Sequence, residues 1–277
     1  MVPAAPTRTR HGIARINRVA WQGRRTLRWF ARYEGWSDPG EEAALAAITD
    51  EVRGKRILDV GVGAGRTVPL LREISTDYTA IDFTEAMLDV CREKYPELRI
   101  EWGDARHLDA MDDRSFDLAV FSWNGIDAVD HADRLRILNE LNRVLEDGGL
   151  LLFSTHNEHG PGCGEKPWTI RRDDFHHPKH LADLALFLPL NMANHLRHRG
   201  QEVIGDGWSI RNAAAHHFGL VIHYTTLEHQ LAELTAAGFE PIEVRESEHG
   251  ALVEPGTDPS SWWMQIVARK RIEQDDA

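Results

Sequence analysis

RILDVGVGAGRTVP, residues Arg56 to Pro69, decides how the rest of the chain is read. Its opening apolar run, Ile57, Leu58 and Val60, lies between Lys55-Arg56 and a glycine and predicts a short buried strand. Glycines then occupy alternate positions, Gly61, Gly63 and Gly65, before a helical pattern begins at Thr67. Without a Cβ, glycine adopts backbone angles that other residues resist and lets a ligand lie against the main chain. A strand, a glycine turn and a helix N-terminus together predict a nucleotide-type pocket.

Working outward, a second apolar run, Tyr78 to Ile81, ends in Asp82, seventeen positions beyond Gly65, where an acid can take a ribose hydroxyl. A third, Leu98, Ile100 and Trp102, ends in Gly103-Asp104, and a fourth, Phe116 to Phe121, ends in Ser122-Trp123-Asn124. Each run delivers polar groups at its carboxyl end, where open α/β sheets hold their ligands. The pattern predicts strands at 56–60, 78–82, 98–102, 116–121 and 149–154 and helices at 67–75, 84–94 and 130–145, the last ended by Gly148-Gly149. Asp38 caps a helix starting at Pro39, and Thr226 caps one that runs to Ala237. Strands at 239–245 and 262–269 follow. Strands alternating with helices make a doubly wound, mostly parallel sheet.

The blocks ILDVGVGAGRT, AIDFTEAML, WGDARHL, FDLAVFSWNGID and LNRVLEDGGLLLFSTHN stand in the order and at the spacing of a known family. The chain resembles the class I S-adenosylmethionine-dependent methyltransferases, closely over Trp36 to Asn157 and loosely over Thr225 to Lys270. The resemblance implies a Rossmann-like α/β fold of seven strands, mostly parallel with an antiparallel last strand, and an insertion after strand 5. It divides the chain into a basic helical segment or lid (1–36), an S-adenosylmethionine-binding core (37–157), an acceptor-binding insertion (158–224), the C-terminal part of the core (225–272) and a tail (273–277). An NAD(P)-dependent oxidoreductase is an alternative, supported by the glycine turn and Asp82, although the third glycine comes one residue earlier than in G-x-G-x-x-G. A non-catalytic S-adenosylmethionine-binding protein on the same fold is a third.

Carried over residue by residue, the resemblance implies that Asp59, Gly61, Gly63 and Gly65 lie by the methionine part of the cofactor, with Arg66 pairing its carboxylate if the side chain turns inward. Asp82 would accept both ribose hydroxyls, Phe83 and Met87 would flank the adenine, and Asp104 would accept from its amino group beside Ala105 and Arg106. Ser122, Trp123 and Asn124 would floor the methyl-transfer site. Tyr33 and Trp36, just before the helix at Pro39, would fold over the cofactor. A phenol or alcohol acceptor loses a proton as it attacks, which a histidine can take. His156 is the best placed, with His216, His217 and His223 as alternatives. The acceptor expected is a small molecule, of secondary-metabolite or sugar-like type, methylated on O or N. Nucleobase amino methylation is disfavoured because the Asp/Asn-Pro-Pro-aromatic block of such enzymes is replaced here by SWNGID.

Composition narrows the rest. A formal charge of −12 disfavours nucleic acid as a partner, yet residues 1–33 hold eight arginines and no acid. Ile13, Ile16, Ala20, Leu27 and Phe30 fall near helical spacing, so this arm reads as a packed or mobile helix, with a transit peptide or a nucleic-acid arm as the other readings. No apolar run reaches the ~18 residues of a membrane span. Cys91 and Cys163 are the only cysteines, which fits a reducing cytoplasm. The sequence leaves a homodimer open. Residues 158–224 fit no core element apart from a helix over Leu181 to Leu196 interrupted at Pro189. The insertion's many histidines carry no H-x-x-x-H pair with ligand partners, and His195 and His198, three apart, are read as solvated, so no metal site is expected.

Overall fold

The computed structural model describes residues 12–35, 38–170, 178–254 and 256–272. Trp36, His176, His177 and the tail 273–277 lie outside the described residues. A seven-stranded sheet forms the centre, built from β1 (Ile57–Val60), β2 (Tyr78–Asp82), β3 (Arg99–Trp102), β4 (Phe116–Phe121), β5 (Leu145–His156), β9 (Phe239–Glu246) and β10 (Trp263–Lys270). Its order is β3-β2-β1-β4-β5-β10-β9. Strand β10 runs antiparallel to both neighbours, and the other pairs along β3 to β5 are parallel. All four residues of β1 are buried, as a strand covered on both faces requires.

The helices cover both faces: α3 (Pro39–Val52), α4 (Val68–Ile74), α5 (Glu85–Lys94), α6 (His131–Val144) and α9 (Leu227–Ala236). Asp38 caps α3 by accepting from the Glu41 N–H at 2.8 Å, and it also accepts from Trp263 Nε1 and Gln265, which ties the helix start to β10. Thr226 caps α9 through the His229 N–H. Helix α6 stops at Val144, before the glycine pair. Gly148 and Gly149 instead lie inside β5, which is longer than its apolar stretch predicts because it keeps pairing beyond that stretch at both ends.

The arm packs as two helices, α1 (Ile13–Trp21) and α2 (Arg24–Phe30). Asn17, fully buried, holds α1 in place: its amide donates to the carbonyls of Ala128 and Val221 and its oxygen accepts from the Val221 N–H. The insertion is more ordered than the sequence suggests. Helix α7 (Pro178–His198) continues through Pro189, because a helix of 21 residues absorbs the loss of one backbone hydrogen bond. A second sheet follows, β6 (Val203–Ile204), β7 (Trp208–Ala213) and β8 (Leu220–Thr225), antiparallel in that order. Between β7 and β8 lies α8 (Ala215–Phe218), a single turn in which His216, His217 and Phe218 are all left-handed, with φ of 51°, 59° and 60°. All six residues of β8 are buried, and Asn157 at the end of β5 bridges to Thr225.

Candidate active site

The carboxyl ends of β1, β2 and β4 open into a cavity of about 720 Å³ roofed by α2, α7 and the second sheet. The three glycines of the turn serve two purposes. A Cβ on Gly61 would meet the Phe121 ring at 2.8 Å, and one on Gly65 would meet Tyr95 at 2.7 Å and Cys91 at 3.0 Å. Gly63 has open space beside it, but its φ of 55° suits glycine, and its N–H donates to Asp82 Oδ2 at 2.9 Å. Gly61 and Gly63 line the cavity; Gly65 packs away from it.

Asp82 ends β2 with both oxygens engaged, the second accepting from the Thr84 N–H at 2.6 Å. Burial pushes its carboxyl up to about 6, and these two donors only partly restrain the shift. Phe83, Met87 and Ala105 complete that side of the cavity. Asp104 stands two residues beyond the Asp82–Trp102 register pair but does not line the space. It is held by Arg106, whose Nη2 and Nε donate at 2.6 and 2.9 Å, and Arg106 reaches on to Asp133 at 2.7 Å. Burial pushes the Asp104 carboxyl up, but the Arg106 hydrogen bonds prevail and leave it below its ordinary value.

Asp59 also stays out of the cavity. It accepts from Thr67 Oγ1 at 2.5 Å and Tyr78 OH at 2.7 Å, and burial pushes it up to about 6. It fastens the start of α4 to β1 and β2. Arg66 does line the cavity, but its guanidinium is taken by Glu41 in a bidentate pair at 2.7 Å, by the Gly35 carbonyl and by Ser122. With Glu41 buried beside it, its charge is already balanced, and it lies 5.0 Å over the Trp123 ring. Tyr33 does not reach the cavity; its ring lies tilted against Trp29 and Trp123 at 5.2 and 5.1 Å in an aromatic group whose other members, with Phe30, form the wall.

His156 lines the cavity and Asn124 faces it across the end of β4. The His156 ring nitrogen Nδ1 lies 2.9 Å from Asp127 Oδ2, which also accepts the His156 N–H at 2.6 Å. A carboxylate only accepts, so Nδ1 is the donor, and in the neutral ring Nε2 carries the lone pair. Asp127, fully buried, is further held by Thr155 Oγ1 at 2.9 Å and by Arg134 Nε at 3.2 Å. The sequence offered Asp127 only as one letter of SWNGID, with no sign that it would meet β5. His217 lies outside this cavity, its ring tilted against Phe187 at 4.4 Å, while its neighbour His216 lines it, with burial lowering its pKa. His223 is buried on the far face of β8. His195 Nδ1 meets Asn212 Oδ1 at 2.9 Å inside the insertion, so it is buried and bonded rather than solvated, and His198 is buried too.

Two carbonyl oxygens in the lining, Asn124 Oδ1 and Asn191 Oδ1, are buried and accept no hydrogen bond. Asn191, on α7, is the insertion's contribution. Buried acceptors of this kind call for a donor on a bound molecule.

Residues 57–149 match the family model described as a methyltransferase domain. The chain is 36% identical over 110 residues to a phosphatidylethanolamine N-methyltransferase of Cereibacter sphaeroides, covering 38% of this chain and 52% of the relative. It is 34% identical over 121 residues to a malonyl-[acyl-carrier protein] O-methyltransferase of Serratia marcescens, covering 43% and 44%. The chain thus spans about half the length of the curated relatives it matches. Among solved structures, the 1,6-didemethyltoxoflavin-N1-methyltransferase of Burkholderia thailandensis, solved with 1,6-didemethyltoxoflavin and S-adenosylhomocysteine bound, superposes with a TM-score of 0.60 at 15% identity over 98% of this chain and 94% of that one.

Proposed function

We propose that this chain, whose core belongs to the class I S-adenosylmethionine-dependent methyltransferases, moves a methyl group to an oxygen or nitrogen of a small molecule held between the strand ends and the insertion. The observation that carries the reading is one cavity lined both by Asp82 and the glycine turn and by a histidine backed by a buried carboxylate. The lining suits the cofactor. Gly63 holds its N–H beside Asp82, Phe83 and Met87 offer apolar surface for a purine, and Asn124 presents an unpaired buried oxygen. When bound, S-adenosylmethionine supplies a methyl already activated on a sulfonium, so the protein's own work is to bind, orient and keep water out.

Asp82 accepts the ribose hydroxyls, and its two backbone donors fix the carboxylate before the ligand arrives. Arg66 positions the floor by holding Ser122 and stacking on Trp123, rather than meeting a carboxylate itself. Trp29, Phe30 and Trp123 wall the space with rings, which limits water near the reacting atoms. His156 Nε2 takes the proton of an acceptor O–H or N–H as that atom attacks. Asp127 fixes the tautomer and stabilises the imidazolium that results. Asn191 accepts a hydrogen bond from the acceptor.

Calorimetric titration tests the cofactor: micromolar binding of S-adenosylhomocysteine without binding of NADH is expected, and the reverse would overturn the reading. A metabolite screen with a labelled methyl donor then tests transfer, and its failure with the cofactor bound would favour a non-catalytic binding protein.

A further inference from the structure

Behind the His156–Asp127 pair, on the side of the core away from the cavity, lies a second cluster that methyl transfer does not use. His229 and Glu233 stand four apart on α9 and so share a face, with His229 Nε2 3.2 Å from Glu233 Oε1. His131, the first residue of α6, brings its Nδ1 to 3.4 Å from the same Oε1. The three ligand-type atoms all lie within 4.8 Å of one another. We propose that His131, His229 and Glu233 form a binding site for a divalent transition-metal ion of the zinc class.

Three observations carry this. The first is spacing. Tetrahedral zinc with bonds of 2.0–2.1 Å sets its ligand atoms about 3.3 Å apart, and the two separations to Glu233 Oε1 are 3.2 and 3.4 Å. The second is valence. His131 Nδ1 meets both Glu233 Oε1 at 3.4 Å and His223 Nε2 at 3.2 Å, and one ring nitrogen serves both only as a weak bifurcated donor, because a lone pair there could accept from His223 but not from the carboxylate. The third is charge. Arg134, fully buried, pairs with Asp127 and with Glu233 Oε2 at 2.5 Å, so one cation faces two buried carboxylates and a negative charge remains. A divalent ion at Oε1, between the two imidazoles, would offset it.

The arrangement also suits entry and orientation. His131 and His229 are each about a quarter exposed, at 24% and 26%, which gives an ion a path from solvent and leaves a fourth position for water. The His131 ring is pinned parallel to Trp208 at 4.0 Å, and Arg134 holds the other carboxylate oxygen, as supporting residues around metal ligands do. Two borderline imidazole nitrogens beside one hard carboxylate oxygen favour zinc, with cobalt as its spectroscopic stand-in, over magnesium or calcium, which prefer all-oxygen sites. The site would fasten α6 to α9 behind Asp127, whether or not the chain transfers methyl groups.

The test uses the full chain, stripped with a chelator and dialysed against Zn²⁺, with bound metal counted by mass spectrometry. About one zinc per chain is expected for a site of this ligand set. His229→Ala, a partly exposed position whose loss leaves Arg134 paired, should weaken binding by at least ~10-fold. His159→Ala, at an exposed histidine elsewhere, should bind as the parent does. Cobalt substitution should give the intense visible absorption of a low-coordinate site and lose it in His229→Ala. Failure of the parent to retain zinc, or equal zinc in His229→Ala, would overturn the proposal.

Discussion

The two halves of the cavity are finished to different degrees. On the core side the charged groups are satisfied before any ligand arrives, with Asn124 Oδ1 left as an open acceptor at the end of β4. Asp82 holds two backbone N–H groups, Arg66 is locked to Glu41 and Ser122, and Asp127 has four donors around it. On the insertion side Asn191 presents a buried oxygen with no donor, and the turn at 216–218 keeps three side-chain-bearing residues in left-handed geometry. An unmet buried acceptor costs about 1–3 kcal/mol, and each left-handed residue of this kind costs about as much. The contrast teaches that one face is preorganised for a fixed ligand and the other holds sites that a second molecule must complete.

The sharpest way to break the comparison is at the seam. His156→Ala should lower kcat by roughly 10²- to 10⁴-fold while S-adenosylhomocysteine affinity stays as it was. Asp127→Asn should lower it less, by about tenfold or more, because the ring remains. Full turnover of His156→Ala at neutral pH would remove the histidine from the chemistry. Next comes the core side. Asp82→Ala should weaken S-adenosylhomocysteine at least ~100-fold by calorimetry, since two charge-assisted hydrogen bonds are lost.

The same carboxylate sets a pH dependence. Its folded value of about 6 lies above the ordinary carboxylate range, so it is ionised at pH 7 and becomes protonated as pH falls through 6. Affinity should be flat above pH 7 and fall about tenfold per unit below 6, and Asp82→Asn should abolish that step. On the insertion side, Asn191→Ala should raise the acceptor KM about tenfold and leave cofactor binding alone; an effect on both would erase the distinction between the halves. The smallest change is His217→Gly, which relieves a left-handed position outside the cavity. It should stabilise the fold by about 1 kcal/mol in thermal unfolding.

How much of this was legible follows from the distance over which each signal acts. The strand ends at Asp82 and Asn124 could be read because an apolar run and the polar residue that stops it are contiguous. Asp59 and Asp104 look the same in sequence, yet their carboxylates turn to Thr67 and Tyr78 and to Arg106, partners that spacing alone does not select. Arg66 stands in the sequence as a ligand group only if its side chain turns inward, and Glu41, 25 positions earlier, gives no sign of pairing with it. The second sheet was invisible for a local reason. Strand β6 has two residues, and β7, WSIRNA, alternates apolar with polar over only its first four residues before Asn212 breaks the pattern. Asp127 and the His131–His229–Glu233 group depend on contacts spanning 29 to roughly 100 positions, beyond what any motif records.

Asn17 gives the arm a role beyond packing. Its three hydrogen bonds reach a turn of the core 111 positions away and a strand of the insertion 204 positions away. One side chain thus spans core and insertion at a single point, and the same arm carries, in α2, the Trp29 and Phe30 rings that wall the chamber, so the three parts of the chain share one anchor.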